Sequence, residues 1–413
     1  MPAVKHIGSD CHTIYMNDGI RICAQACSCC WDKTIPEDYE GQVNYLARRC
    51  KTGHTSVLEH SNLIVLYRFP NTLVSREDII QLQTAIDFLG NNRYLNTVAR
   101  MPKNGGGPCI LIGGSYRGFD DVYHSVSDSV HNYGMLKLIT EQLYQHVNSL
   151  MFPDLTDGNT PILNKDSFLN VEPDAVSDYF NPIGTNLYED DKVKFISIDN
   201  IEQIKRNVDR ICPNTFSIDD ISKVASTTIL FKDMSRTGTH QLVRHRNGIT
   251  QESQRYVDYS HAAFADPLAF KPEKYDVDKK YDFEFGGQKF SMTSMELGES
   301  IIGIYHYLID QGMMKEDARS FLPGNVKCRR LYMTFTYKTL LKFFELRCHP
   351  AAQAEIRSFA MSARKGFEIE TEKFKVEPDK NTGVDEIISD KEVIMEKIIE
   401  NTPELNKEEK GND

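Results

Sequence analysis

The sequence predicts an α+β protein built from two tandem blocks. Short apolar runs of strand type alternate with long patterns of helical period. A stretch dense in proline, glycine and acid divides the chain near its middle. Three short strings recur on either side of that divide, as an internal repeat would make them.

The first block covers residues 1–152. Its run Leu63-Ile-Val-Leu-Tyr67 has the length and composition of a strand, 79–89 shows the i, i+3, i+4 pattern of a helix, and 134–152 reads as a second amphipathic helix. Residues 153–192 form the divide, with Pro153, Gly158, Pro161, Pro173, Pro182, Gly184 and then Glu189-Asp-Asp191. The second block, 193–372, opens a strand at Thr227-Thr-Ile-Leu-Phe231 that leads into a helix over 234–246. Helical patterns follow over 295–313, 330–347 and 351–368. Residues 373–413 are rich in Lys, Glu and Asp and read as a solvated helix ending in a disordered stub.

The repeated strings are Leu66-Tyr-Arg68 with Leu230-Phe-Lys232, Asn92-Arg-Tyr-Leu-Asn96 with Gln254-Arg-Tyr-Val-Asp258, and Ser115-Tyr-Arg117 with Thr336-Tyr-Lys338. Their offsets are 164 (230−66), 162 (254−92) and 221 (336−115), so the second block holds 59 extra residues (221−162) between its last two strings. The other account of the spacing is one domain carrying a large insertion between residues 60 and 225.

Bulk properties narrow the function. Of 413 residues, 40% are hydrophobic and 10% aromatic, enough for a substantial core. A net charge of −11 argues against a nucleic-acid coat and makes a local cluster of arginines more telling. Met1-Pro-Ala-Val-Lys-His6 has no apolar h-region, and no apolar run is long enough to span a bilayer, so a cytoplasmic location without membrane contact is expected. Five of the ten cysteines (Cys23, Cys27, Cys29, Cys30, Cys50) crowd one region. Their C-x3-C-x-C-C spacing lacks a second knuckle, so reduced thiols are expected rather than a metal site.

The chemistry concentrates at Gln241-Leu-Val-Arg-His-Arg246 and Gln251-Glu-Ser-Gln-Arg-Tyr256. Gln241 and Arg244 share a helix face. Clustered cations are costly unless an anion lies among them, and arginine's planar fork suits phosphate. Amides, a hydroxyl and a carboxylate return just after the Asn-Gly turn, the composition of a nucleotide pocket. A solvated charged turn has the same composition, and the residues alone leave both readings open.

The string resembles the signature of the flavin-dependent thymidylate synthases: Arg-His-Arg, a spacer, Ser, one residue, then Arg-Tyr. Gly53-His-Thr-Ser-Val-Leu-Glu-His60 resembles the family's Gly-His-x-Ser-x-x-Glu-His segment. Glu316-Asp-Ala-Arg319 before Leu322-Pro323, Phe343-Phe-Glu-Leu-Arg347 and Ala352-Gln-Ala-Glu-Ile-Arg357 resemble its C-terminal elements. The resemblance implies that each block is a mainly antiparallel sheet with long helices. It implies reductive methylation of dUMP to dTMP, with methylenetetrahydrofolate as carbon donor and hydride from NADPH through FAD. Gln241, Arg244, Gln251, Glu252, Ser253, Gln254, Arg255 and Arg319 would hold dUMP, and Arg347 would lie against the uracil as the catalytic residue. Cys27, His54, Ser56, Ser115, Arg117, Arg244, His245, Arg246, Thr336 and Lys338 would contact FAD.

The chain departs from the family in three places. The spacer from Arg246 to Ser253 is six residues, one shorter than usual. The family's Asn-x-Arg flavin contact stands here as Thr336-Tyr-Lys338, and lysine does not supply arginine's fork. His60 and Arg244 lie 184 positions apart (244−60), where the family places the segments close together. Duplication with divided labour accounts for this: the first block keeps the Gly-His segment and Arg117, the second keeps Arg-His-Arg, Arg319 and Arg347. Because the family assembles sites in a homotetramer, a homodimer of tandem chains would mimic it. The competing readings are a flavin-dependent reductase or methylase of another nucleotide, and a nucleic-acid-binding module using Arg244, Arg246 and Arg255.

Overall fold

The computed structural model describes residues 10–31, 34–50, 52–69, 76–103, 105–127, 140, 180–181, 187–245 and 248–374. Helices and antiparallel strands mix throughout, as an α+β chain should. In the first half, β1 (Asp10–Asn17) leads to α1 (Gly19–Cys29), α2 (Tyr39–Cys50), a 3-10 turn (Thr55–His60), β2 (Leu63–Arg68), α3 (Arg76–Asn91), β3 (Leu95–Arg100), β4 (Cys109–Gly114) and α4 (Tyr116–Ser127). The strands lie in the order β3-β4-β2-β1, all antiparallel, and β5 (Phe180–Asn181) adds in parallel beside β1. Part of the expected 153–192 divide is therefore a strand of the first sheet.

The second half runs β6 (Val193–Ile198), α5 (Ile201–Ile211), α6 (Ile218–Ser222), β7 (Ser226–Ser235), α7 (Arg236–Leu242) and β8 (Gly248–Gln251). A separate hairpin of β9 (Tyr281–Phe285) and β10 (Gln288–Met292) precedes α8 (Ser294–Asp310). Then come β11 (Lys327–Thr336), α9 (Tyr337–Arg347) and α10 (Ala354–Glu372). The sheet order is β8-β11-β7-β6, again all antiparallel. This is the first half's order, strand for strand.

The register repeats as well. Ile64 pairs with Gly113 and Thr228 with Thr334, which reproduces the offsets of 164 (228−64) and 221 (334−113). Both first strands carry a register shift, between Thr13 and Tyr15 in β1 and between Phe195 and Ser197 in β6. Each then ends in a side-chain cap: Asp18 accepts from Arg21 N, and Asn200 from Glu202 N and Gln203 N. The middle echo fails this test. Asn92-Arg-Tyr leads into β3, whereas Gln254-Arg-Tyr follows β8. Asn96 pairs with Gly113 and Gly248 with Thr334, so the offset there is 152 (248−96), not 162.

The halves interlock reciprocally. Ile22, Ala26 and Cys29 of α1 pack on Ile196, Leu230 and Tyr332 of the second sheet. Ile204 and Val208 of α5 share the main core with Ile14, Ile64 and Leu66 of the first, and Asn207 Nδ2 donates to Ile14 O at 2.9 Å. His60 is wholly buried between the hydroxyls of Thr334 (2.9 Å) and Thr250 (2.8 Å), both on the second sheet. Val224 fills the corresponding place on the first sheet, where a Cβ at Gly113 would lie 2.6 Å from its own. At the centre, Asn62 Nδ2 donates to Asp199 Oδ2 at 2.6 Å and to Val224 O at 3.1 Å.

Two further expectations change. The 330–347 helical pattern is strand as far as Thr336 and helix only from Tyr337. β11 is central and buried on both faces, so its apolar run carries no alternation to distinguish it from a helix. The helix expected over 234–246 begins at Arg236, because β7 continues to Ser235. The expected helix over 134–152 lies outside the described residues except for position 140, and the tail lies outside them beyond residue 374.

Candidate functional site

The Arg-His-Arg segment is positioned by its strand and by the last helix. Ser235 ends β7 and caps α7, accepting from Gly238 N at 2.9 Å, while its own N–H and hydroxyl each donate to the buried Glu355 carboxylate at 2.7 Å. This fixes α7 and the 3-10 turn Val243–His245 that follows it. From the other side, α9 is capped by Thr336 and ends at Arg347.

The two helix ends meet. Arg347 Nε donates to His245 Nε2 at 3.0 Å, and its terminal nitrogens lie 3.5 Å from the side-chain and main-chain oxygens of Gln241. Burial, then the Arg347 charge, pushes the His245 imidazole down to about 4. At neutral pH the ring is uncharged, and because Nε2 accepts from Arg347, Nδ1 carries the proton. Arg347 is itself held below the ordinary guanidinium range by burial and by Arg244. Among the described residues neither arginine has an ion-pair partner. A partly buried guanidinium and an exposed one thus lie close together without an anion between them.

A second group follows β8. Glu252 is buried; its Oε1 accepts from Arg329 Nε at 3.2 Å, and its carbonyl accepts from Arg236, which also donates to the Tyr259 hydroxyl at 2.8 Å. Ser253 Oγ accepts from Arg255 N at 3.2 Å. Arg255 turns outward onto Glu316 Oε2, at 3.1 Å from Nε and 2.8 Å from Nη2, while Arg319 Nε donates to Glu316 O at 3.1 Å. Arg255 and Arg319 are thus gathered on one acidic residue.

The first half supplies a third group. The His54 ring meets Trp31 edge to face at 4.4 Å between centroids, and Trp31 stacks on Tyr256 at 5.9 Å. The Gly-His segment thereby reaches the Arg-Tyr end of the signature, across nearly the whole sequence gap between them. A cavity of about 520 Å³ lies here, lined among others by Trp31, Glu252, Tyr256, Tyr259, Lys315 and Arg329. Nearby in sequence, Glu59 pairs with Arg117 at 2.7 Å, and both Arg93 and Arg117 lie over the Tyr94 ring, at 4.3 and 4.7 Å. The backbone of Glu59 approaches Gly248 so closely that a Cβ there would meet its carbonyl at 2.8 Å.

Other expected contacts are not joined to these groups. Cys27 is fully buried in the first half's core with its thiol pushed up to about 12 by burial, so it presents no sulfur to a ligand. Ser115 and Thr336 serve as helix caps, accepting from Gly118 N (3.3 Å) and Thr339 N (3.2 Å). Ser56 and Lys338 are exposed, and Gln251 and Gln254 are partly exposed. Arg246 lies outside the described residues. Sequence reasoning gave no role to Trp31, Arg236, Tyr259, Glu316, Arg329 or Glu355. Glu316, three residues before Arg319, Glu355, within the string Ala352-Gln-Ala-Glu-Ile-Arg357, and Trp31, the single tryptophan, carried a signal that could have drawn attention to them.

Residues 197–369 match the family model described as thymidylate synthase complementing protein. The chain is similar to curated flavin-dependent thymidylate synthases: it is 34% identical over 138 residues to that of Geobacter sulfurreducens, spanning 33% of this chain and 54% of the relative. It is 32% identical over 168 residues to that of Pyrococcus furiosus, spanning 40% and 64%. The chain therefore matches between about half and just under two thirds of the length of these relatives. A crystal structure of thymidylate synthase X from Helicobacter pylori with FAD and dUMP aligns at a TM-score of 0.31 and 13% identity, over 45% of this chain and 97% of that one. No helix among the described residues is long and apolar enough to cross a membrane.

Proposed function

We propose that this chain is a flavin-dependent thymidylate synthase that methylates dUMP to dTMP, with methylenetetrahydrofolate as carbon donor and NADPH as hydride source through FAD. The carrying observation is the meeting of Gln241, Arg244, His245 and Arg347 at two helix ends, with two guanidiniums that lack an acid. In this reading Arg347 lies against the uracil and favours ionisation of a ring nitrogen, preorganised electrostatics of the usual kind. Neutral His245 holds the Arg347 Nε, leaving the rest of the fork for the base. Arg255 and Arg319 take the phosphate, which competes with the Glu316 carboxylate for Arg255, and Ser253, Gln254, Gln251 and Glu252 complete the nucleotide contacts.

The donor set also suits a flavin dinucleotide. Arg244 and Arg246 offer charge to a diphosphate, and His54 offers a ring face or edge to the flavin. By the resemblance Arg117, Ser115, Ser56, Thr336 and Lys338 would add further flavin contacts, although the fold of one chain does not join Ser115, Ser56, Thr336 and Lys338 to these groups. Bound there, FAD would supply the two-electron redox chemistry. Cys27 drops out of this set.

We further infer that the two halves are unequal tandem copies that divide one site between them. The shared strand order, register, bulges and caps support this, as do the reciprocal docking contacts, and a homodimer of such chains would stand in for a tetramer. Ten free thiols fit a reducing, cytoplasmic setting. The test is whether the purified chain carries a flavin spectrum and releases tritium from dUMP labelled at C5. A colourless protein that gains no flavin spectrum on adding FAD and releases no tritium sinks the proposal.

A further inference from the structure

Trp31 is the only tryptophan in the chain, and it lies where the halves meet at the cavity. The indole is partly buried and packs against the first half's apolar core. It is bounded by three polar rings or cations: the His54 edge at 4.4 Å, the Arg49 guanidinium over its face at 4.2 Å, and Tyr256 stacked at 5.9 Å with the planes 27° apart. Close aromatic stacking places rings about 3.5 Å apart, so a third ring between two others needs roughly 7 Å. A centroid distance of 5.9 Å is that of an ordinary offset stack, so a ligand ring reaches the indole face by displacing Tyr256. Tyr256 is 47% exposed, on a segment without regular structure, and can give way.

Resting on the proposed function, we infer that Trp31 is a ligand-binding residue, the platform on which the flat ring of a planar nitrogen heterocycle stacks, with Tyr256 closing over its other face. The cavity's polar groups define the remaining chemistry. Glu252 faces the ring edge as a carboxylate acceptor for N–H groups, its Oε2 left over after Oε1 has taken Arg329. Lys315, Lys327 and Arg329 line the same cavity together with Asp233 and Asp258, so charges of both signs surround the ring. A cavity of about 520 Å³ is of ligand size. The ligand is therefore a heteroaromatic ring with an N–H edge, which both a flavin nucleotide and a reduced folate possess.

Calorimetric titration of the full chain with FAD and, separately, with a reduced folate distinguishes the two sources. Trp31→Ala and Trp31→Leu should weaken one ligand roughly tenfold, as loss of a stacking platform does, while Trp31→Phe stays within about threefold. Saturation with that ligand should also shield the sole tryptophan from acrylamide quenching. Trp31→Leu keeps apolar bulk without a ring, so a purely structural Trp31 would tolerate it. Should Trp31→Ala fail to fold, the comparison of Leu with Phe decides. Binding of both ligands unchanged in every variant, with tryptophan quenching unaffected, overturns the inference. Failure of wild-type chain to bind either ligand overturns the proposed function itself, and the role of Trp31 with it.

Discussion

Replacing Arg347 with alanine separates a ligand-binding role from a structural one, because the two predict different signs. Without ligand, the side chain contributes one good hydrogen bond, to His245 at 3.0 Å, and two long contacts to Gln241. A hydrogen bond of that kind is worth about 1 kcal/mol net. Against it stand partial burial of the guanidinium and the repulsion of Arg244, the two causes that lower its pKa. The terms nearly cancel, so stability should change by no more than about 1 kcal/mol, or roughly 2–4 °C in Tm for a domain of this size. With dUMP the balance inverts. A charge-assisted contact to an ionising base contributes ~1.5–3 kcal/mol, so tritium release should fall roughly ten- to a hundredfold, in kcat more than in KM. The third readout is His245. Removing the adjacent cation raises its pKa from about 4, and continued burial keeps it below the ordinary 6.5. Thermal shift, tritium release and imidazole NMR measure these in turn. A large fall in Tm with turnover intact, or a His245 pKa that does not move, refutes the argument.

Other substitutions test the neighbouring groups. Arg255→Ala should weaken dUMP binding by calorimetry and leave Tm alone, because its exposed pair with Glu316 does little for stability; unchanged affinity marks it as a surface pair only. Asp199 is wholly buried, and burial pushes its carboxyl from 3.8 up to about 6. Between those values the folded chain holds more protons than the unfolded one, so this group's contribution to stability is lost as pH rises through that window, by on the order of 3 kcal/mol. Urea titrations across it should show that slope flattened in Asp199→Asn, and an unaltered slope contradicts the assignment. His60→Ala removes two buried hydrogen bonds and opens a cavity, at a cost of ~2–4 kcal/mol in urea unfolding; a loss below about 1 kcal/mol would show that β8 and β11 need no pin.

Of the first half's strands only β2 was legible in the sequence, and the helices α3, α8 and α10 were too, because their residues are driven by one local signal at a time. β11 was not, since a strand buried on both faces shows no period, and its length with α9 mimicked one long helix. The grouping of Gln241, Arg244, His245 and Arg347 followed from motif resemblance, but its geometry did not. That Arg347 donates to a neutral histidine depends on two helix ends fixed by Ser235–Glu355 and by the Thr336 cap, contacts over 120 residues in one case and local in the other. The repeat illustrates the same limit. Strings placed at strand ends kept their offsets, because the backbone fixes them there. The Asn92 and Gln254 strings matched in letters and failed in register, because loops do not constrain where a string falls.

The interlock of the halves has a consequence for how the chain can be divided. The second sheet covers Ile196, Leu230 and Tyr332 only with α1 of the first half, and Asp199 finds the Asn62 amide only there. Exposing those three apolar side chains costs about 1.5–3 kcal/mol each, which is comparable with the 5–15 kcal/mol that holds a typical protein folded. Loss of Ile14, Ile64 and Leu66 from the main core adds to this. Residues 193–413 expressed alone should therefore not unfold cooperatively, and neither should residues 1–152. Expressed together, the fragments should co-purify, regain a cooperative transition and release tritium from labelled dUMP. If the two halves were instead a domain and a large insertion, the reciprocal contacts would not be needed on both sides. A fragment 193–413 that melts cooperatively and turns over unaided would then be the observed result, and it would end the division of labour between the halves.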